Sequence, residues 1–106
     1  DGEPLAVDPA KIGERPSGEM DPDAPLVQRA LASMRYVGGT PALARSSTDS
    51  NIPIALGVPA VTIGRGGIGG EGHSPGEYWV NQDGHLAIQG ALLLVTSEAG
   101  LAAIVP

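Results

Sequence analysis

Apolar positions in this chain fall into short runs separated by glycine, proline and small polar residues. Leu26, Val27, Ala30, Leu31, Met34 and Val37 recur at spacings that put them on one face of a helix. Asp23 suits the N-cap of that helix, Pro25 suits its first turn, and Gly38-Gly39 stop it. A short helix is predicted over Ile52 to Leu56, closed by Gly57 and preceded by the polar run Arg45 to Asn51. The last helix is predicted from Gly84 to Ala99, with Asp83 as cap and Gly100 beyond its end. Within it, Ala91-Leu92-Leu93-Leu94-Val95 is apolar nearly all round, so this helix is expected to be covered on more than one side.

The remaining apolar runs read as strands. Leu5 and Val7 alternate as a short strand does, Pro41 to Ala44 suit a brief one, and Pro59 to Ile63 read as a buried strand that ends at a glycine tract. Strand, helix, strand, short helix, strand, helix is the alternation of an α/β architecture. Short strands and one heavily apolar helix make a poor free-standing unit. The chain is therefore expected to be part of a larger sheet, and alone to self-associate into a homo-oligomer through the uncovered helix face.

Composition sharpens this picture. The 106 residues suffice for one domain, yet they include no Phe, one Trp and two Tyr. The core must come from Ala, Val, Leu and Ile, which bury less area per residue than aromatics. Glycine (16) and proline (10) approach a quarter of the chain, but they punctuate apolar segments, which suits a folded, loop-rich unit rather than a disordered one. Six basic against twelve acidic residues, a net charge of −6 and almost no aromatic surface argue against nucleic-acid binding. No apolar run reaches the ~20 residues of a membrane span. The absence of cysteine excludes disulfides and thiolate metal sites and leans towards a reducing compartment, so a cytoplasmic location is the expectation. Asp1 in place of Met implies a start that has been processed or cut.

Candidate chemistry is concentrated in the tract that runs from Gly64 to Trp79. Gly64-Arg65-Gly66-Gly67-Ile68-Gly69 has the letters of a dinucleotide-binding loop. That loop needs a helix starting at its end so that backbone N–H groups meet pyrophosphate, and here Pro75 intervenes and no helix is predicted before Asp83. A phosphate-binding loop would also require a lysine that is missing. The tract delivers His73, followed by Ser74, Pro75 and Glu77. A lone histidine is more often a surface or structural residue than a ligand, and a metal site needs at least three protein donors. His85, in the first turn of a helix, reads as solvated. Ser46-Ser47-Thr48-Asp49-Ser50-Asn51, at a helix start, offers hydroxyls, an amide and free N–H groups that could hold a carboxylate, although plain capping is the commoner outcome. Arg15 and Arg65 are candidate anion partners, a role rarer than that of a plain surface charge.

Five segments occur in a telling order: Gly13-Glu14-Arg15-Pro16-Ser17-Gly18, Ala24 to Ala30, Ser46 to Pro53, Gly57 to Gly64, and Gly72-His73-Ser74-Pro75-Gly76-Glu77-Tyr78. In this order they resemble the C-terminal part of the di-zinc metallopeptidases that include aminoacylase, glutamate carboxypeptidase and peptidase T. The resemblance runs from about Arg15 onward. It implies the C-terminal half of a zinc-exopeptidase catalytic domain, a three-layer α/β/α fold incomplete in this chain. Residues 1–16 would end a lid domain and its hinge, and residues 17–106 would be the returning half of the catalytic domain.

By the same resemblance, His73 matches a zinc ligand, Ser47, Thr48, Asp49 and Asn51 match a stretch lining the substrate pocket, and Gly66 and Gly67 match a loop passing close to substrate. Glu77 would orient its loop rather than bind metal. The implied activity is hydrolysis of amide bonds in small peptides or N-acyl amino acids. In such enzymes two zinc ions activate a bridging water and polarise the carbonyl, and a glutamate moves the proton. The substrate's terminal carboxylate would lie near Asn51. The other zinc ligands and the catalytic glutamate belong to the N-terminal half, which would be the partner of this chain, so the chain alone is expected to be inactive. The alternative is a non-catalytic binding or assembly module that retains the scaffold.

Overall fold

A computed structural model of the chain describes Gly2 and residues 4–100. Three helices and one two-stranded sheet follow in the order α1 (Pro25–Tyr36), α2 (Asn51–Ala55), β1 (Ile68–Gly70), β2 (Tyr78–Val80) and α3 (Gly84–Ala99). Residues 101–106, the end of the expected catalytic portion, lie outside the described residues.

α1 forms where the apolar spacing predicts it, with one difference at its start. The N-cap is Ala24 rather than Asp23, and no side chain caps the helix. The carboxylate of Asp21 instead accepts the Asp23 N–H at 2.9 Å, and its carbonyl accepts the Ala24 N–H, so the turn uses the earlier aspartate. Pro25 occupies the first turn, where a missing N–H costs nothing. At the other end the N–H groups of Gly38 and Gly39 return to the carbonyls of Arg35 and Met34.

α3 lies against α1, and this pair holds the small core: Val27, Ala30, Leu94 and the buried hydroxyl residue Ser33. Gly90 permits the approach. A Cβ there would fall 2.6 Å from Met34 Cε and 3.3 Å from Val37 Cγ2, so the α1 side chains rest on bare α3 backbone. Arg29 and Glu98 bridge the two helices at 2.8 Å. The opposite face of α3 is open, with Ile88, Leu92 and Val95 all more than 60% exposed. The cover expected on a second side is therefore not provided by the described residues.

The predicted strands do not form. Leu5 and Val7 are exposed and unpaired, and Pro41 to Ala44 and Pro59 to Ile63 lie outside regular structure. Among the described residues, no backbone–backbone hydrogen bond involves residues 41–47 or 59–66. A strand is stable only when a neighbour takes its N–H and C=O groups, and nothing here supplies one. The sheet that does form was not anticipated. β1 and β2 pair antiparallel, with Ile68, Gly69 and Gly70 opposite Val80, Trp79 and Tyr78. The tract read as loop is thus one arm of a hairpin, held by the aromatic and β-branched run Tyr78-Trp79-Val80.

Candidate functional site

His73 stands at the tip of the hairpin between β1 and β2. Its backbone is left-handed (φ 65°), as is that of Glu71 (φ 52°). A non-glycine residue in this region is strained by about 1–2 kcal/mol and needs surrounding contacts to stay there. Ser74 supplies several: its Oγ donates to the Glu71 carbonyl at 2.7 Å and accepts the Gly76 N–H at 3.2 Å. Backbone bonds from Ser74 to Glu71 and from Glu77 to Ser74 close the turn. The Glu77 carboxylate accepts the His73 N–H at 3.4 Å, so this acid braces the loop. The His73 side chain is exposed, and among the described residues nothing hydrogen-bonds its ring.

The base of the hairpin is organised by Trp79. Its indole N–H donates to the Gly66 carbonyl at 2.9 Å, and its ring fills the space that a Cβ on Gly67 would take. Gly66 and Gly67 both have left-handed backbone (φ 69° and 67°), and a Cβ on Gly66 would sit 2.8 Å from Ala87 Cβ on α3. Internal packing therefore already requires both glycines. An open hollow of about 430 Å³ lies beside them, lined by the glycine tract with the side chains of Arg65 and Glu77.

A second cluster surrounds the Ser46 to Asn51 loop. Thr48 Oγ1 and Ser50 Oγ are 2.6 Å apart, and the Thr62 hydroxyl lies 2.9 Å from the first and 3.0 Å from the second. Each hydroxyl of this triangle can donate once and accept once, which satisfies all three. The Asn51 amide is engaged at both ends, accepting the Thr48 N–H and donating to the Pro16 carbonyl, each at 3.1 Å. Ser47 and Asp49 are held by Arg15. Thr62 was missed from sequence, and its signal was being the single polar residue within the apolar run Val58 to Ile63.

Thr48, Asn51, Gly66 and Gly67 line one open groove of about 1380 Å³, together with Ser50 and Thr62. Ser47, Asp49 and His73 are not among its lining residues. The groove exceeds the roughly 300–1,000 Å³ of a small-molecule pocket and is walled by Val27, Ile54, Val61 and Leu86, which suits packed polypeptide better than a ligand.

Zinc requires three or four protein donors within bonding distance. Among the described residues no group of three or more His, Cys, Asp and Glu side chains could hold a metal ion. His73 is a single donor, and Glu77 is turned to the backbone, so the described residues by themselves do not fit a zinc centre. No helix of the described residues is long and apolar enough to cross a membrane. No known protein family, curated protein or solved structure matches the chain.

Proposed function

We propose that this chain is the C-terminal portion of a zinc-dependent peptidase or amidohydrolase acting on small peptides or N-acyl amino acids. The observation that carries this reading is the ordered succession of motifs ending in His73, a strained histidine held out at a braced hairpin tip. Strain of this kind clusters where a side chain has to be presented in a fixed direction. In this reading His73 contributes one donor to a metal site, and the other donors and the catalytic base come from the N-terminal half of the domain. The wide apolar groove, the unpaired segments 41–47 and 59–66, and the open face of α3 fit the same view. They are surfaces of a layer that packs against further polypeptide.

Towards the substrate, the loop offers both hydroxyls and an amide. Asn51, Thr48 and Ser50 all line the groove; the Asn51 amide is committed to Thr48 and Pro16, and the two hydroxyls bond each other and Thr62. A substrate carboxylate near Asn51 would take over donors from this network, in exchange for one of its internal hydrogen bonds.

A second reading, a binding or assembly module without catalysis, is favoured by the lack of a three-donor group among the described residues. The native polypeptide separates the two. Its intact mass, its zinc content and its hydrolysis of dipeptides and N-acetyl amino acids would be measured together, with His73→Ala alongside. A longer polypeptide with tightly bound zinc, whose turnover collapses in H73A, supports the peptidase. A polypeptide without zinc and without hydrolysis supports the module.

A further inference from the structure

The segment Arg15 to Gly18 touches the loop and helix from Ser47 to Ile54 at four points of different chemistry. Arg15 Nη1 donates to Ser47 Oγ at 3.0 Å, and Nη2 donates to Asp49 Oδ1 at 2.9 Å. The Pro16 carbonyl accepts from Asn51 Nδ2 at 3.1 Å. Gly18 lies directly under Ile54, where a Cβ would fall 2.5 Å from Cγ2. These contacts bridge more than thirty residues of chain, as in the 34-residue separation of Arg15 and Asp49.

An exposed ion pair contributes little by itself, and the Asp49 side chain is 96% exposed. This one is not isolated. One planar guanidinium serves two partners through two nitrogens, a geometry that lysine cannot reproduce. Its neighbours in sequence, Pro16 and Gly18, dock on the same loop and helix, so forming one contact lowers the entropic cost of the next. The loop in turn holds the hydroxyl triangle that faces the groove.

We propose that residues 15–18 are a latch on this loop, with Arg15 as its positioning residue. The latch fixes the shape of the loop that carries Thr48 and Ser50, two of the hydroxyls lining the groove. It is a property of the fold and holds whether or not a metal site is completed elsewhere.

The test is amide hydrogen exchange on the full chain. Arg15→Gln is expected to speed exchange at Thr48 and Asn51 about threefold to tenfold, the range for losing one or two modest hydrogen bonds. Exchange in α1 and α3 stays unchanged. Asp49→Asn, which alters an exposed side chain and cannot unfold the chain, is expected to give part of the same effect. Because the two residues act through one contact, the double variant is expected to be no worse than R15Q alone. Arg15→Lys is expected to restore less than half of the protection. Unchanged loop exchange in R15Q, additive effects of R15Q and D49N, or full protection in R15K would each overturn the latch.

Discussion

The indole N–H of Trp79 donates to the carbonyl of Gly66 at 2.9 Å, and the same ring occupies the space beside Gly67. One side chain thus ties β2 to the glycine tract before β1. Trp79→Phe removes the hydrogen bond and keeps most of the ring, so a loss of about 1 kcal/mol is expected. Urea unfolding followed by far-UV circular dichroism measures it, and an unchanged midpoint would show that the bond is dispensable.

Gly67→Ala should be worse than that. The new methyl would run into the indole and the Val80 carbonyl, and the backbone would carry a left-handed alanine. Overpacking and strain together are expected to cost about 2–4 kcal/mol. Because Trp79 is the single tryptophan, its emission reports the displacement directly. A wild-type spectrum and midpoint in G67A would contradict this packing.

His73 presents the opposite case, where removing the side chain relieves backbone strain. Glycine at this position relieves the left-handed strain, so His73→Gly is expected to raise stability by about 0.5–1 kcal/mol. His73→Ala keeps the strain and is expected to gain nothing. If His73 is a metal donor, both variants lose zinc affinity in the longer protein. Thermal unfolding of the two variants side by side checks the first claim, and equal melting temperatures would count against it.

The thin core makes its few members decisive. Leu94 is 7% exposed between α3 and α1, and Leu94→Ala is expected to cost about 2–5 kcal/mol. Ile88, 71% exposed on the same helix, is expected to tolerate alanine within about 0.5 kcal/mol. Helix content against urea distinguishes them. A comparable loss at both positions would mean that the outer face of α3 is covered after all.

Local chemistry carried much of this architecture. The apolar spacing of Val27, Ala30 and Met34 located α1 to within a residue, and the glycines at 57 and 100 closed the other two helices as expected. The concentration of glycines in the Gly64 to Trp79 tract was legible, and the bracing role of Glu77, which the resemblance implied, matches its bond to the His73 N–H. The hairpin was not legible: six of the residues that surround and form β1 are glycines, which carry no strand preference of their own. Its pairing depends on Tyr78 and Trp79 reaching back across the turn. The hydroxyl triangle and the Arg15 contacts were hidden for a similar reason, since Thr62 and Arg15 are distant from Thr48 and Asp49 along the chain.

The sequence alone therefore determined roughly where helices start and stop, because periodicity, proline and glycine act over a few residues. Neither Asp23 nor Asp83, however, makes the side-chain cap expected of it. Only the tertiary structure decided which apolar runs become strands, what occupies the space beside Gly66 and Gly67, and which groups hold the Ser47 to Asn51 loop. Those outcomes depend on partners brought together by folding. Pro59 to Ile63 has the composition of a strand, but backbone N–H and C=O groups form a ladder only where another segment lies alongside to receive them.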